Sequence, residues 1–201
     1  MAQDEHQRQL EIHPKEIKGS WDIGYALDLH TVSSTMIGYN EFGHPEFDTQ
    51  RSALGELVYR LKYKGDKNVI PTIVGVVVSF LRSKAIQFDV VVPIPPSKQR
   101  AHQPVIEIVL ELSRVLGIAH DATSVKKTTT TPQMKDIGDF PERVKALEAA
   151  FTVANDLAGK QVLLIDDLLQ SGATMNVVAQ ALKTQGHVKA VHAIALTRTR
   201  S

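Results

Sequence analysis

The chain has 201 residues, of which 43% are hydrophobic and 22% charged, with a net charge of +1 and no cysteine. That length and balance suit an ordinary globular domain with a full core. The missing cysteines exclude disulfides, thiolate zinc sites and a cysteine nucleophile, and the near-zero charge excludes a global field that would steer the chain to nucleic acid or an anionic membrane.

Residues 1–20 are polar, carry Asp4, Glu5, Glu11 and Glu16, and lack the apolar core of a signal peptide. The longest apolar stretch, over 69–81, is broken by Pro71 and is too short to span a bilayer. The expectation is a cytoplasmic protein with no membrane partner. Residues 21–48 alternate and are β-rich, and "EFGHPEF" supplies the glycine and proline of a turn, so a hairpin or meander is expected there. Residues 49–64 read as a helix, with Leu54, Leu57, Val58 and Leu61 at helical spacing, and 69–84 as a second, very apolar one. "FDVVVPIPPSKQR" is a short buried strand that ends in a proline-rich loop. A helix follows over 102–116, with Val105, Ile108, Val109, Leu112, Val115 and Leu116 on one side, and then a strand within 117–125. Residues 126–142 are polar and turn-rich; 143–150 read as a short helix and 150–156 as a short strand. A buried strand over 162–165, a helix over 173–185 with Met175, Val178, Ala179 and Leu182 inward, and a strand over 186–198 complete the chain.

Continuous apolar strands alternating with helices argue for an α/β fold with a parallel sheet covered on both faces. The expected organisation is a polar segment at 1–20, a β-rich segment at 21–48 and an α/β domain at 49–201. Ligands of such sheets bind at the carboxyl ends of strands. Two motifs stand there. In the first, "VLLIDDLLQSGAT", Asp166 and Asp167 follow a buried strand that is expected to stop where they begin, leaving both charges access to water. Adjacent carboxylates can accept hydrogen bonds from a vicinal diol or attract a divalent cation. Gly172 permits a tight turn, Ser171 and Thr174 offer hydroxyls, and the helix that follows directs free N–H groups at the same space, which suits a phosphate. A ribose 5-phosphate has that layout. The same residues would also serve as a helix cap and a solvated loop. In the second motif, Pro93, Pro95 and Pro96 stiffen a loop that presents Lys98 and Arg100, a pattern suited to pyrophosphate or to a plain stiff turn. The polar stretch from Lys126 onward reads as a lid or as a surface loop. The histidines show no metal-ligand spacing, and the basic tail "TRTRS" is too short for a nucleic-acid footprint.

"VLLIDDLLQSGAT" resembles the phosphoribosyl pyrophosphate (PRPP) motif of type I phosphoribosyltransferases: four apolar residues, two acids, two apolar positions and a small hydroxyl-rich turn. The wider chain, roughly 55–198, is similar to the competence-associated ComF-like branch. It shares a Leu-Lys-Tyr-x-Gly stretch at Leu61, Lys62, Tyr63, Lys64 and Gly65, a proline loop "VPIPPSKQRAHQ", and the lid-like "TTPQMKDIGDFPERVKALEAAF".

The resemblance implies a type I phosphoribosyltransferase-like sheet flanked by helices, with the N-terminal β-rich segment as a hood over the site. It implies that Asp166 and Asp167 hold the ribose hydroxyls and that Gln170, Ser171, Gly172, Ala173 and Thr174 wrap the 5-phosphate. Pro95, Pro96, Ser97, Lys98 and Arg100 would bind pyrophosphate. Lys126, Lys127 and Arg100 would act at the reacting centre under a lid that includes Thr131 and Gln133. Mg²⁺ is implied through PRPP's own oxygens, with no direct protein ligand, and a homodimer is a family expectation. The chain departs from the family in three places. It lacks the cysteine zinc motif, it has Gln170 where the motif has threonine and some purine-salvage relatives have a proton-accepting aspartate, and "RAHQP" replaces a longer Arg-Gly-x-Asn-Gln. Glutamine cannot be a general base. Three readings stay open: a transferase with an unidentified acceptor, a PRPP-binding sensor, and an accessory protein in DNA uptake.

Overall fold

Two β-α-β units, each closed by a helix, run outward in opposite directions from the middle of one sheet. The computed structural model describes residues 10–96, 102–128, 150–154 and 157–200. The described elements are β1 (Lys15–Glu16), β2 (Ile23–Leu29), β3 (Thr31–Tyr39), β4 (Pro45–Arg51), α1 (Ala53–Lys64), α2 (Ile70–Ser83), β5 (Val90–Pro93), α3 (Pro104–Leu116), β6 (Ala119–His120), β7 (Val125–Lys127), β8 (Phe151–Val153), β9 (Gln161–Leu169), α4 (Ala173–Thr184) and β10 (Ala190–Arg198). The central sheet has the order β1-β2-β10-β9-β5-β6, parallel throughout except for the antiparallel β1 at its edge. The α/β fold expected from the sequence is present.

Strand alternation sorts the core into two layers. Val162 and Leu164 of β9 pack with Val92, Met175, Val178 and Leu182 on the α4 side. Leu163 and Ile165 pack with Leu54, Val58, Leu61, Ile73, Ile108 and Leu112 on the side of α1, α2 and α3. The helix after β5 therefore covers one face and the helix after β9 covers the other. Where neighbouring strands send their helices to opposite faces, a crevice opens at their carboxyl ends.

Several expectations need correction. Residues 21–48 do not form one β-rich unit: β2 is a strand of the central sheet, parallel to β10, with Ile194 opposite Tyr25. The hairpin is β3–β4, turned at 40–44. The division expected at 48–49 falls inside β4. The helix expected over 49–64 starts at Ala53, because Thr49, Gln50 and Arg51 pair with β3. Ser52 ends the strand and caps the helix: its hydroxyl accepts the Gly55 N–H at 2.9 Å. The stretch 117–125 holds two short strands in different sheets, β6 beside β5 and β7 antiparallel to β8. The short helix expected at 143–150 lies outside the described residues except for Ala150.

The main correction concerns β9. It runs to Leu169, through both aspartates, instead of stopping at Ile165. The backbone of β10 supplies partners for this extension, with Ala195 opposite Asp166 and Thr197 opposite Leu168. On its other side β9 loses β5 at the Pro93–Ile165 pair. One edge of the extension is therefore paired and the other opens into the crevice.

Candidate functional site

A cleft of about 330 Å³ occupies that crevice. Its floor is the end of β9 with Asp166, Asp167 and Leu168, and its walls are Ile94, Pro95 and Pro96 after β5, Gln103, Pro104, Val105 and Ile106 at the start of α3, Gln170 and Thr174 before and within α4, and Lys62 of α1.

Because β9 stays extended through the acid pair, the two side chains leave opposite faces of the strand. Asp166 follows Leu164 toward α4, and Asp167 follows Ile165 toward α1. Asp166 Oδ1 accepts the N–H of Asp167 at 2.8 Å. Asp167 Oδ2 meets Lys62 Nζ at 2.6 Å, with both side chains largely buried. The Asp167 carbonyl accepts a hydrogen bond from the Thr197 hydroxyl at 2.8 Å, and that hydroxyl lies 3.2 Å from His30 Nδ1. Burial, with Arg51 and Lys62 nearby, holds the His30 imidazole below its usual range and favours the neutral ring.

Asp166 is the unusual acid. Burial, and secondarily the adjacent Asp167 carboxylate, push its pKa up to about 7, against the opposing pull of two backbone N–H groups and Lys62. It is thus a group in the cleft that exchanges a proton near neutrality.

The α4 side presents a helix start without a side-chain cap. Gly172 adopts the left-handed conformation, φ +75°, and has no side chain with which to cap α4. Ser171 Oγ lies 3.4 Å from the Ala173 N–H, a weak contact. The first turn of α4 therefore offers backbone donors to whatever occupies the cleft. Gly172 is also where the strand reverses into the helix: its carbonyl accepts both the backbone N–H and the side-chain amide of Asn176, at 2.9 and 3.1 Å. An alanine Cβ at Gly172 would meet only ordinary contacts, so a Gly172→Ala variant should show the backbone strain alone. The expected cost is about 1–2 kcal/mol, read as a lower urea midpoint with an unchanged slope.

The structure brings Asp166, Asp167, Gln170, Thr174, Pro95 and Pro96 together around one cleft. Ser171, Gly172 and Ala173 form the turn beside it. Ser97, Lys98 and Arg100 lie outside the described residues, as do Thr131 and Gln133. Lys126 and Lys127 stand on β7, paired with Thr152 and Phe151 of β8, and do not line the cleft. They sit at a stem that holds residues 128 and 150 side by side through the Thr128 N–H to Ala150 carbonyl bond. His102 does not line the cleft either; its Nδ1 lies 3.5 Å from Glu107 Oε1. Two polar cleft residues were not singled out as site residues in the sequence. Gln103 is hidden in a loop whose basic residues draw attention away from it. Lys62 lies in the "LKYKG" stretch, which carries a resemblance but no chemical role of its own.

A switch-point cleft with an acid pair on one strand and an uncapped helix start beside it lies at the carboxyl edge of this parallel sheet. The family described as "Phosphoribosyl transferase domain" matches residues 68–201, and the chain belongs to that family. Among solved structures, the chain is similar to the glutamine PRPP amidotransferase from B. subtilis complexed with ADP and GMP, at 17% identity and a TM-score of 0.50, over 77% of this chain and 34% of that one. It therefore spans about a third of that enzyme's length. It is also similar to the adenine phosphoribosyltransferases of Saccharomyces cerevisiae (11% identity, TM-score 0.47, 81% of this chain and 82% of that chain) and Leishmania tarentolae (13%, 0.47, 92% and 94%). At these identities the likeness is one of fold. A comparison with curated protein sequences gives no match. Among the described residues no helix is long and apolar enough to cross a membrane.

Proposed function

We propose that the protein is a PRPP-dependent phosphoribosyltransferase of the ComF-like branch, acting on an acceptor that its sequence does not identify. The observation that carries this reading is the placement of Asp166, Gln170 and Thr174 around one cleft at the β5–β9 switch point, with the start of α4 aimed into it. In this reading Asp166 and Asp167 govern the ribose hydroxyls. Gln170, Ser171, Gly172, Ala173 and Thr174 enclose the 5-phosphate with backbone donors. The Pro95–Pro96 turn and the Ser97, Lys98 and Arg100 that follow it receive pyrophosphate.

Displacement at C1 of the ribose breaks the bond to pyrophosphate and forms one to the acceptor, through an oxocarbenium-like state. Negative charge grows on the leaving oxygen, and Lys98 and Arg100 would stabilise it. The β7–β8 stem holds Thr128 beside Ala150, and the stretch from Lys126 to Asp139 is proposed as the lid that excludes water. Among the described residues no cluster of three or more metal-ligating side chains occurs. An acid pair with one member already held by Lys62 would suit a Mg²⁺ carried on the substrate's own oxygens, with no direct protein ligand. When bound, the ion would neutralise charge on the leaving pyrophosphate. The β3–β4 hairpin rises from the carboxyl edge of the sheet, the edge that holds the cleft, and is proposed as the hood that selects the acceptor. A homodimer is proposed on the family pattern.

One observation favours a second reading, a PRPP-binding sensor without turnover. Gln170 lines the cleft where some relatives keep a proton-accepting aspartate. Calorimetric titration with PRPP and Mg²⁺, followed by a pyrophosphate-release assay across bases, amines and nucleosides, separates the two. Release with one acceptor supports the transferase; tight binding with no release from any supports the sensor. An Asp166→Asn, Asp167→Asn double variant that folds and still binds PRPP normally overturns both.

A further inference from the structure

We infer that Lys62 is a positioning residue of the donor site, converting the acid pair into an acid–lysine–acid triad that admits a polyanionic sugar phosphate. This inference rests on the PRPP reading above. Lys62 belongs to α1, outside the residues that match the family. It nonetheless lines the cleft, and its ammonium lies 2.6 Å from Asp167 Oδ2.

The placement follows from the local packing. Leu54, Val58 and Leu61 bury one stripe of α1 against the sheet. Lys62 stands one turn after Val58, on the flank of that stripe that faces β9. Its aliphatic stem is covered while the ammonium reaches the strand end. Asp167 is also fixed from behind: Thr197 holds its carbonyl and Asp166 holds its N–H. The Asp167 carboxylate thus has one orientation, set by α1.

The consequence is electrostatic. Two carboxylates at one strand end would repel a ligand whose phosphate and pyrophosphate groups are themselves anionic. With Lys62 in place, the formal charge of Asp166, Asp167 and Lys62 together is −1 instead of −2. Asp167 is then oriented through one oxygen and its charge offset, while Asp166 and Asp167 still face the sugar together.

The test is calorimetric binding of PRPP to the full chain, with thermal unfolding of each variant recorded alongside. Lys62→Met should weaken PRPP binding about thirtyfold or more, the loss expected when one partner of a largely buried ion pair is removed. Lys62→Arg should recover most of that loss. Lys62→Met combined with Asp167→Asn should bind more tightly than Lys62→Met alone, because the uncompensated charge is gone. A purely structural lysine would lower the melting temperature without this pattern, and the double variant would then bind no better than the single one. If the unmodified protein binds PRPP and Lys62→Met binds it equally well, the inference fails while the PRPP reading stands. If the unmodified protein does not bind PRPP, both fall.

Discussion

Asp166→Asn is expected to make the protein more stable above neutrality and, at the same time, to cost about a hundredfold in PRPP affinity. The stability effect follows from linkage. In the folded protein, burial and the neighbouring carboxylate push the Asp166 pKa up to about 7, from a reference value of 3.8. Between those values the folded state binds a proton that the unfolded chain has released. The contribution of Asp166 is therefore fully present below 3.8 and is lost as pH rises through about 7. Above that point the fold holds a carboxylate it disfavours, and an asparagine of the same shape removes that cost. A gain of about 2–4 kcal/mol is expected there, shrinking toward zero in acid. Urea unfolding at pH values on both sides of neutrality checks it, and a variant equally stable to the wild type at every pH would remove Asp166 from the list of strained groups.

The binding effect has the opposite sign. The ionised carboxylate is the form that accepts hydroxyl hydrogens, and two charge-assisted bonds at about 1.5–3 kcal/mol each account for a loss of about a hundredfold or more. For the same reason wild-type affinity should rise with pH up to about 7 and then level off, and the Asp166→Asn variant should lose that dependence. An acid retained at the cost of stability is the usual condition of a binding site.

The second large effect lies away from the cleft. Gly55→Ala is expected to destabilise the fold by about 2–4 kcal/mol, although alanine is the better helix former. A Cβ at Gly55 would overlap the backbone carbonyl oxygen of His30, and that backbone cannot swing aside. It is held by the His30 N–H bond to the Arg198 carbonyl and by the Ser52 hydroxyl, which donates to the Leu29 carbonyl at 2.5 Å. Helix α1 must therefore move out, taking Lys62 away from Asp167, so PRPP affinity should fall as well. Gly75→Ala is the matched control: that glycine is exposed on α2 with nothing within 4 Å of a new Cβ. There the change should stabilise by about 0.5–1 kcal/mol. Equal denaturation midpoints for the two variants would refute the close approach at His30.

Much of the fold and part of the site were legible in the residues themselves. Periodicity placed α2, α3 and α4 to within two residues, because each buries one stripe whose spacing is local. The continuous apolar runs "VVVP" and "VLLI" announced buried parallel strands. The acid pair and the glycine turn after it pointed to the carboxyl edge of β9, because apolar residues, charges and a left-handed glycine are all short-range signals. The long reach of β9 was not legible, because strand length is set by its partner. It is β10, continuing to Arg198, that supplies hydrogen bonds to residues 166–169 and so turns the two carboxylates to opposite faces. The placement of β2 in the sheet depends in the same way on pairing with β10. The meeting of Lys62 with Asp167 depends on a glycine contact that lets α1 lie close to His30. The sequence by itself determined which residue types gather after the β9 strand: two acids, a glycine turn and small hydroxyl side chains. The tertiary structure alone decided which acid faces α4 near the glycine turn and which is held by a lysine, because those placements come from strand pairing and helix packing between segments far apart in the chain.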